Sequence, residues 1–220
     1  MRTVVFDLDG TLADTSADLL AAANACFVGL GQGGPLGPED ALTAFQGGRA
    51  MLRLGFQRLG RAWSEADVAR AYPLLLGHYA VGLDRHTRLY PGSVAAVEAL
   101  LAAGYACAIC TNKPERLAEE LLRRLGVRGL FQALVGADTL PVRKPDPLPY
   151  RAAVERAGGV VERSLLVGDT VTDRDTARAA GVPVVLVSFG PEGRGVERLQ
   201  PDAMLDDYAD LPALAMRLLS

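Results

Sequence analysis

Residues 3–15 read TVVFDLDGTLADT, and the break inside this stretch decides the architecture. Thr3 to Phe6 are β-branched or aromatic, the composition of a buried strand, and the run from Asp7 to Thr11 with its glycine ends that strand in a polar loop. The same apolar-then-polar pattern returns at Tyr105 to Cys110 before Thr111 and Asn112, and at Leu134 and Val135 before Gly136 and Asp138. It returns again at Ser164 to Val167 before Gly168 and Asp169, and at Pro183 to Val187. Helix-length segments lie between these runs: Ser93 to Ala103, Glu115 to Leu125, Leu148 to Ala157 and Asp173 to Ala180, closed by Gly104, Gly126, Gly158 and Gly181. This alternation predicts an α/β fold with a largely parallel sheet, whose ligands gather beyond the carboxyl ends of the strands.

From Thr15 to Leu89 the rhythm stops. No strand pattern occurs there, and the sequence predicts helices around Ser16 to Val28, Pro38 to Phe45, Arg49 to Leu59 and Glu65 to Gly82, with a flexible loop at Gly31 to Pro38. Tyr90, Pro91 and Gly92 mark the return. The expected organisation is an α/β core of residues 1–14 and 90–220 with a helical insert at 15–89. Pro201 to Leu219 predicts a last short element and a helix.

The 220 residues are half apolar and carry a net charge of -3, with pI about 5.5. Without a basic run there is no electrostatic footprint for nucleic acid. No apolar run of transmembrane length occurs, and the carboxylates at the start interrupt any leader-like core, so a soluble cytoplasmic protein is expected, with no nucleic-acid or membrane partner. The apolar faces needed by the core isolate no interface stripe, leaving monomer and homodimer both open. Positive charge is lopsided: of 23 basic side chains only Lys113 and Lys144 are lysines.

Asp7 and Asp9 stand two apart beyond a strand, so a two-residue period sends both toward one side. Asp169 and Asp173 follow another strand, and if the two strands are neighbours, four carboxylates meet in a small volume. Such repulsion calls for a hard divalent cation, and Mg²⁺ suits carboxylates, water and phosphate oxygens. Lys144 brings a compact point charge before a rigid proline, and Thr111 and Asn112 offer a hydroxyl and an amide to the same anion.

These residues carry a resemblance. DLDGTLADT at 7–15, TNK at 111–113, KP at 144–145 and GDTVTD at 168–173 together resemble the haloacid dehalogenase superfamily over essentially the whole chain. Within it, DTSADLLAAANA from 14 to 25, YPG at 90–92 and the TNKP turn are most similar to the bacterial phosphoglycolate phosphatase group. The resemblance implies a Rossmann-like core with a C1-type helical cap that sets substrate size, and a small phosphate ester as substrate, most directly 2-phosphoglycolate. It implies that Asp7 is the nucleophile and Asp9 the general acid and base, with Thr111 and Lys144 holding the transferring oxygens. Mg²⁺ would be bound by Asp7, the Asp9 carbonyl and Asp169, with Asp173 either binding through water or orienting Lys144. Gly10 and Asn112 on the core, and Gly48 and Arg49 on the insert, would contact substrate. The insert's GGR sequence departs from the G-x-G spacing of similar phosphatases, and Arg49 is read both as a carboxylate partner and as a solvated residue on a first helical turn.

Local chemistry separates the rival activities of the superfamily. A dehalogenase has no leaving alkoxide to protonate and no phosphate charge to offset, so Asp9 with Asp169 and Asp173 favours phosphoryl transfer. Schiff-base phosphonate hydrolysis needs a cap lysine, and none occurs before Lys113. A β-phosphoglucomutase-like phosphotransferase and hydrolysis of another small or sugar phosphate remain alternatives. Cys107 and Cys110 fall within a strand and point to opposite faces, which predicts burial rather than a disulfide; Cys110 beside Thr111 raises the question of thiol oxidation. Gly29, Gly31 and Gly33 echo a dinucleotide fingerprint but follow no strand. Trp63 reads as core of the insert.

Overall fold

The computed structural model describes residues 1–60 and 62–220. In chain order the elements are β1 (Thr3–Phe6), β2 (Ala13–Asp14), α1 (Ser16–Gly29), a 3₁₀ turn (Pro38–Asp40), α2 (Ala41–Phe45), α3 (Gly48–Arg58) and α4 (Glu65–Val81). Then come β3 (Arg88–Leu89), α5 (Ser93–Ala102), β4 (Ala106–Cys110), α6 (Glu115–Arg124), β5 (Ala133–Val135) and α7 (Pro147–Arg156). The chain ends with β6 (Ser164–Gly168), α8 (Val171–Ala180), β7 (Val184–Val187), β8 (Ala203–Leu205) and α9 (Leu211–Leu218). The segment from Pro201 thus resolves into a sixth strand of the main sheet and a helix. The chain divides into two compact units, Met1–Asp14 with Leu89–Ser220, and Thr15–Arg88. Leu89 falls with the α/β unit, one residue before the expected return, and next to it the Tyr90 amide donates to the Leu12 carbonyl at 3.0 Å.

In the α/β unit one sheet runs β5-β4-β1-β6-β7-β8, with every neighbouring pair parallel. Its strands are apolar on both faces, as crossover helices require. Val5, Ala108, Val135, Leu166 and Leu186 pack on the α7 and α8 side with Tyr150, Ala153, Val154 and Ala177. The alternate residues Val4, Phe6, Cys107 and Ile109 are equally buried. Register pairs Phe6 with Ile109 on one side and with Val167 on the other. β1 therefore lies between β4 and β6, where the order of strands reverses, and this is the switch point at which α/β sheets open a crevice. The condition for carboxylate convergence, adjacency of the strands before Asp7 and Asp169, is met.

The helical unit packs α1 against α3 and α4. Phe27 meets Phe56 edge-on at 5.1 Å, and Phe56 stacks on Trp63 at 6.2 Å. Trp63 is 37% exposed, so it caps the edge of this cluster instead of filling its centre. Asp18, at the start of α1, is buried and accepts from the amides of His86 and Thr87 and from the Thr87 hydroxyl, at 2.8–3.1 Å. This carboxylate ties the first turn of the unit to its last residues. Gly29, Gly31 and Gly33 lie at and beyond the end of α1, where no phosphate-binding strand-turn-helix exists. Among the described residues no helix is long and apolar enough to cross a membrane.

Candidate active site

The Asp7 amide donates to the Val167 carbonyl at 2.9 Å, extending the β1–β6 pairing one residue past the strand. The chain then turns at Gly10, whose φ of 81° suits glycine, while the Leu8 carbonyl accepts from the amides of Leu12 and Ala13 at 3.0 and 3.1 Å. This turn brings Thr11 back toward β6, where its hydroxyl donates to Asp169 Oδ1 at 3.0 Å. From the far end of the chain, the Tyr208 hydroxyl donates to the Thr11 carbonyl at 2.7 Å.

Lys144 is buried, its Nζ 2.6 Å from Asp173 Oδ1 and 3.2 Å from Asp7 Oδ1. Burial works against its charge, but the carboxylates of Asp173 and Asp7 outweigh that and hold the ammonium protonated. Asp173 Oδ2 caps α8, accepting from the amides of Asp169 and Thr170 and from the Thr170 hydroxyl at 2.8–3.2 Å. Both Asp173 oxygens therefore have protein partners. Its contact with Lys144 fits one of the two roles expected for it, and its place beside Asp7 and Asp169 fits the other, binding a cation through water.

Asp7, Asp169 and Asp173 each present a carboxylate oxygen within 4.8 Å of the others. Burial pushes the Asp7 carboxyl up to about 6; the Lys144 charge opposes this and those of Asp173 and Asp9 add to it. Burial, with the charges of Asp173 and Asp7, also pushes Asp169 well above the usual carboxylate range. Asp7 Oδ1 is buried, and what faces it among the described residues is the Lys144 ammonium at 3.2 Å. Asp7 and Asp173 share the Lys144 ammonium, which leaves the three-carboxylate cluster short of positive charge, and such a set of hard oxygen donors fits a divalent cation of the Mg²⁺ kind.

Thr111, buried at the end of β4, accepts the Lys113 amide on its hydroxyl at 3.2 Å. The Asn112 amide nitrogen donates to the Lys144 carbonyl at 3.0 Å, so this expected substrate contact also braces the loop that carries Lys144. Lys113 was not among the expected site residues. Its buried Nζ lies 2.7 and 2.8 Å from the two oxygens of Asp9. The signal for it was compositional: it is one of two lysines in the chain, inside a TNK motif. Nothing in the sequence signalled Tyr208. Gly48 and Arg49 open α3 in the helical unit, where the Arg49 guanidinium sits over the Tyr72 ring at 4.6 Å. Cys110 is fully buried and burial pushes its thiol up to about 12, which keeps it unreactive. Cys107 is equally buried, and the cysteines are unpaired.

Residues 1–181 match the haloacid dehalogenase-like hydrolase family. The chain is 40% identical over 221 residues to a phosphoglycolate phosphatase of Agrobacterium fabrum, covering 98% of this chain and 93% of that protein. It is 39% identical over 227 residues to a phosphoglycolate phosphatase of Mesorhizobium japonicum, covering 98% and 96%. Among solved structures, that of a predicted phosphoglycolate phosphatase from Haemophilus somnus superimposes with a TM-score of 0.82 at 26% identity, covering 97% of each chain.

Proposed function

The chain belongs to the haloacid dehalogenase-like hydrolases as a phosphatase, and on that premise we propose that it hydrolyses 2-phosphoglycolate to glycolate and inorganic phosphate through an aspartyl phosphate on Asp7. The observation that carries the reading is the half-buried Asp7 carboxylate held 3.2 Å from a Lys144 ammonium, with Asp9 two residues beyond it and Asp169 beside it. A nucleophile, an anion-binding cation and a second carboxylate for proton transfer thus share one crevice. Full-length similarity to phosphoglycolate phosphatases supports the substrate.

Asp7 and Asp169 would hold Mg²⁺, with the Asp9 carbonyl and, through water, Asp173 completing its protein contacts. Bound there, the cation supplies neutralisation of the phosphoryl charge. Asp7 attacks phosphorus, the bond to the ester oxygen breaks, and that oxygen leaves with the electron pair and takes a proton from Asp9. Asp9, now a carboxylate, takes a proton from water, whose oxygen bonds to phosphorus as the bond to Asp7 breaks. Both aspartates return to their starting state. Lys144 and Thr111 hold the transferring oxygens throughout, and Asp173 keeps Lys144 in place. The reading includes a cytoplasmic enzyme, a setting that suits unpaired cysteines.

The test is a profile of kcat/KM over 2-phosphoglycolate, hexose phosphates, other small phosphate esters and p-nitrophenyl phosphate. Preference for 2-phosphoglycolate is expected, along with loss of turnover in EDTA and a loss on the order of 10³-fold or more in Asp7→Asn. A higher kcat/KM on another ester overturns the substrate, and near-normal turnover by Asp7→Asn overturns the nucleophile. Conversion of β-glucose 1-phosphate to glucose 6-phosphate with a bisphosphate activator would establish the mutase instead.

A further inference from the structure

We infer that Lys113 is the positioning residue for Asp9, fixing the carboxylate that protonates the leaving oxygen, and so sets how well this enzyme cleaves esters with poor leaving groups. The inference rests on the phosphatase reading and deepens it.

Three observations carry it. First, a single ammonium spans both oxygens of Asp9, at 2.7 and 2.8 Å, which restrains rotation of the carboxylate about its own axis. Each carboxylate oxygen keeps a second lone-pair site, where Asp9 can carry the proton it donates to the ester oxygen and later accept one from water. Second, the anchor itself is rigid. The Lys113 amide donates to the Thr111 hydroxyl at 3.2 Å, and its carbonyl accepts from the Ala137 amide at 2.9 Å. The ammonium is thus projected from backbone pinned to both β4 and the loop after β5. Third, the lysine side chain is only 2% exposed and that of Asp9 15%, so the pair lies in the crevice rather than on a solvated face. A surface ion pair would leave Asp9 mobile; a buried one removes that freedom. The choice of lysine in a chain that otherwise uses arginine fits this geometry. A compact point charge sits on both oxygens from within the core, whereas a planar guanidinium is larger and needs a wider approach.

Positioning matters because Asp9 serves two half-reactions from one location. It gives a proton to the departing ester oxygen and later takes one from the attacking water. An alkyl ester such as 2-phosphoglycolate leaves as a strongly basic alkoxide and needs that proton. A p-nitrophenolate leaves without it.

The experiment compares wild type and Lys113→Met on 2-phosphoglycolate and p-nitrophenyl phosphate. The expected loss in kcat/KM is on the order of 10²-fold for the alkyl ester and less than about 3-fold for the aryl ester, since general acid catalysis contributes about 10²–10⁴-fold where it is needed. Equal losses on the two substrates overturn the inference, because general damage to the fold does not distinguish leaving groups. Removing Lys113 alone leaves a carboxylate without its cation, so a second comparison uses Asp9→Asn against Asp9→Asn with Lys113→Met, which leaves neither charge unmatched. Once Asp9 is gone the lysine change should cost the alkyl ester nothing further; an undiminished further loss overturns the inference. If the phosphatase reading itself fails, wild type cleaves neither ester, or Asp7→Asn keeps its rate. If only the substrate is wrong, whichever alkyl phosphate the enzyme prefers replaces 2-phosphoglycolate in the same comparison.

Discussion

In the proposed mechanism Asp7 must be ionised to attack, yet it is held where ionisation is expensive. Its carboxyl titrates at about 6 in the fold, against about 3.9 for an unfolded aspartate. Between these values the folded state binds more protons than the unfolded one, so stability from this group is present below about pH 4 and is lost as pH rises through 6. A divalent cation bound at Asp7 and Asp169, as proposed, would offset the penalty only when the carboxylates are ionised. Mg²⁺ should therefore raise the melting temperature of EDTA-treated protein more at pH 7.5 than at pH 5, and scanning calorimetry at both pH values checks it. An equal or larger shift at pH 5 would place the cation elsewhere. Asp7, Asp9, Asp169, Asp173 and Lys144 were legible in the sequence because each follows a strand and carries charge where burial would otherwise forbid it. Lys113 was visible only as a compositional oddity, since its role is defined by Asp9, 104 residues away.

At the scale of elements, the two ends of α8 answer to different physics. Ahead of its start, at the end of β6, a Cβ on Gly168 would collide with Asp173 Cβ and Cγ, so Gly168→Ala must displace the side chain that holds Lys144. At its end, Gly181 adopts a φ of 76° and a Cβ there would have no neighbour within 4 Å, so Gly181→Ala meets backbone strain alone. Gly181→Ala should cost about 1–2 kcal/mol of stability with kcat unchanged. Gly168→Ala should lower kcat on the order of 10²-fold, because ångström-scale misplacement of a catalytic group costs that much. Urea unfolding with steady-state kinetics on both variants separates the effects, and an unchanged kcat in Gly168→Ala would show that Lys144 tolerates movement of its anchor. The helix ends of the core were readable from their glycines, and the capping role of Asp173 was not. A carboxylate three residues after Thr170 fits both a capping box and a metal cluster, and only the positions of its two oxygens separate the uses.

For the whole molecule, the arrangement that makes the site is the strand order, and no local pattern contains it. Parallel neighbours are chosen by packing between distant segments: Thr3 pairs with Ala106 on one side and Ser164 on the other. The alternation of strands and helices predicted a parallel sheet, whereas the place of β1 between β4 and β6 emerges only when helices cover both faces. That order draws the chain's two lysines into one crevice. Both are buried, at 5% and 3% exposure, and each lies on carboxylates, Lys113 on Asp9 and Lys144 on Asp173. Acylation needs a neutral amine that the reagent can reach, and ion pairing with burial denies both conditions. Arginine does not compete for the reagent, so lysine acetylation reports on this crevice alone. Native protein treated with acetic anhydride should carry no acetyl group on either lysine, and protein in guanidinium should carry one on each, as read by peptide mass spectrometry. If reaction waits for global unfolding, native labelling should be slowed on the order of 10³-fold or more. Rapid acetylation of Lys113 without denaturant would mean that the Asp9 pair opens freely, and would remove the rigidity on which its positioning role depends.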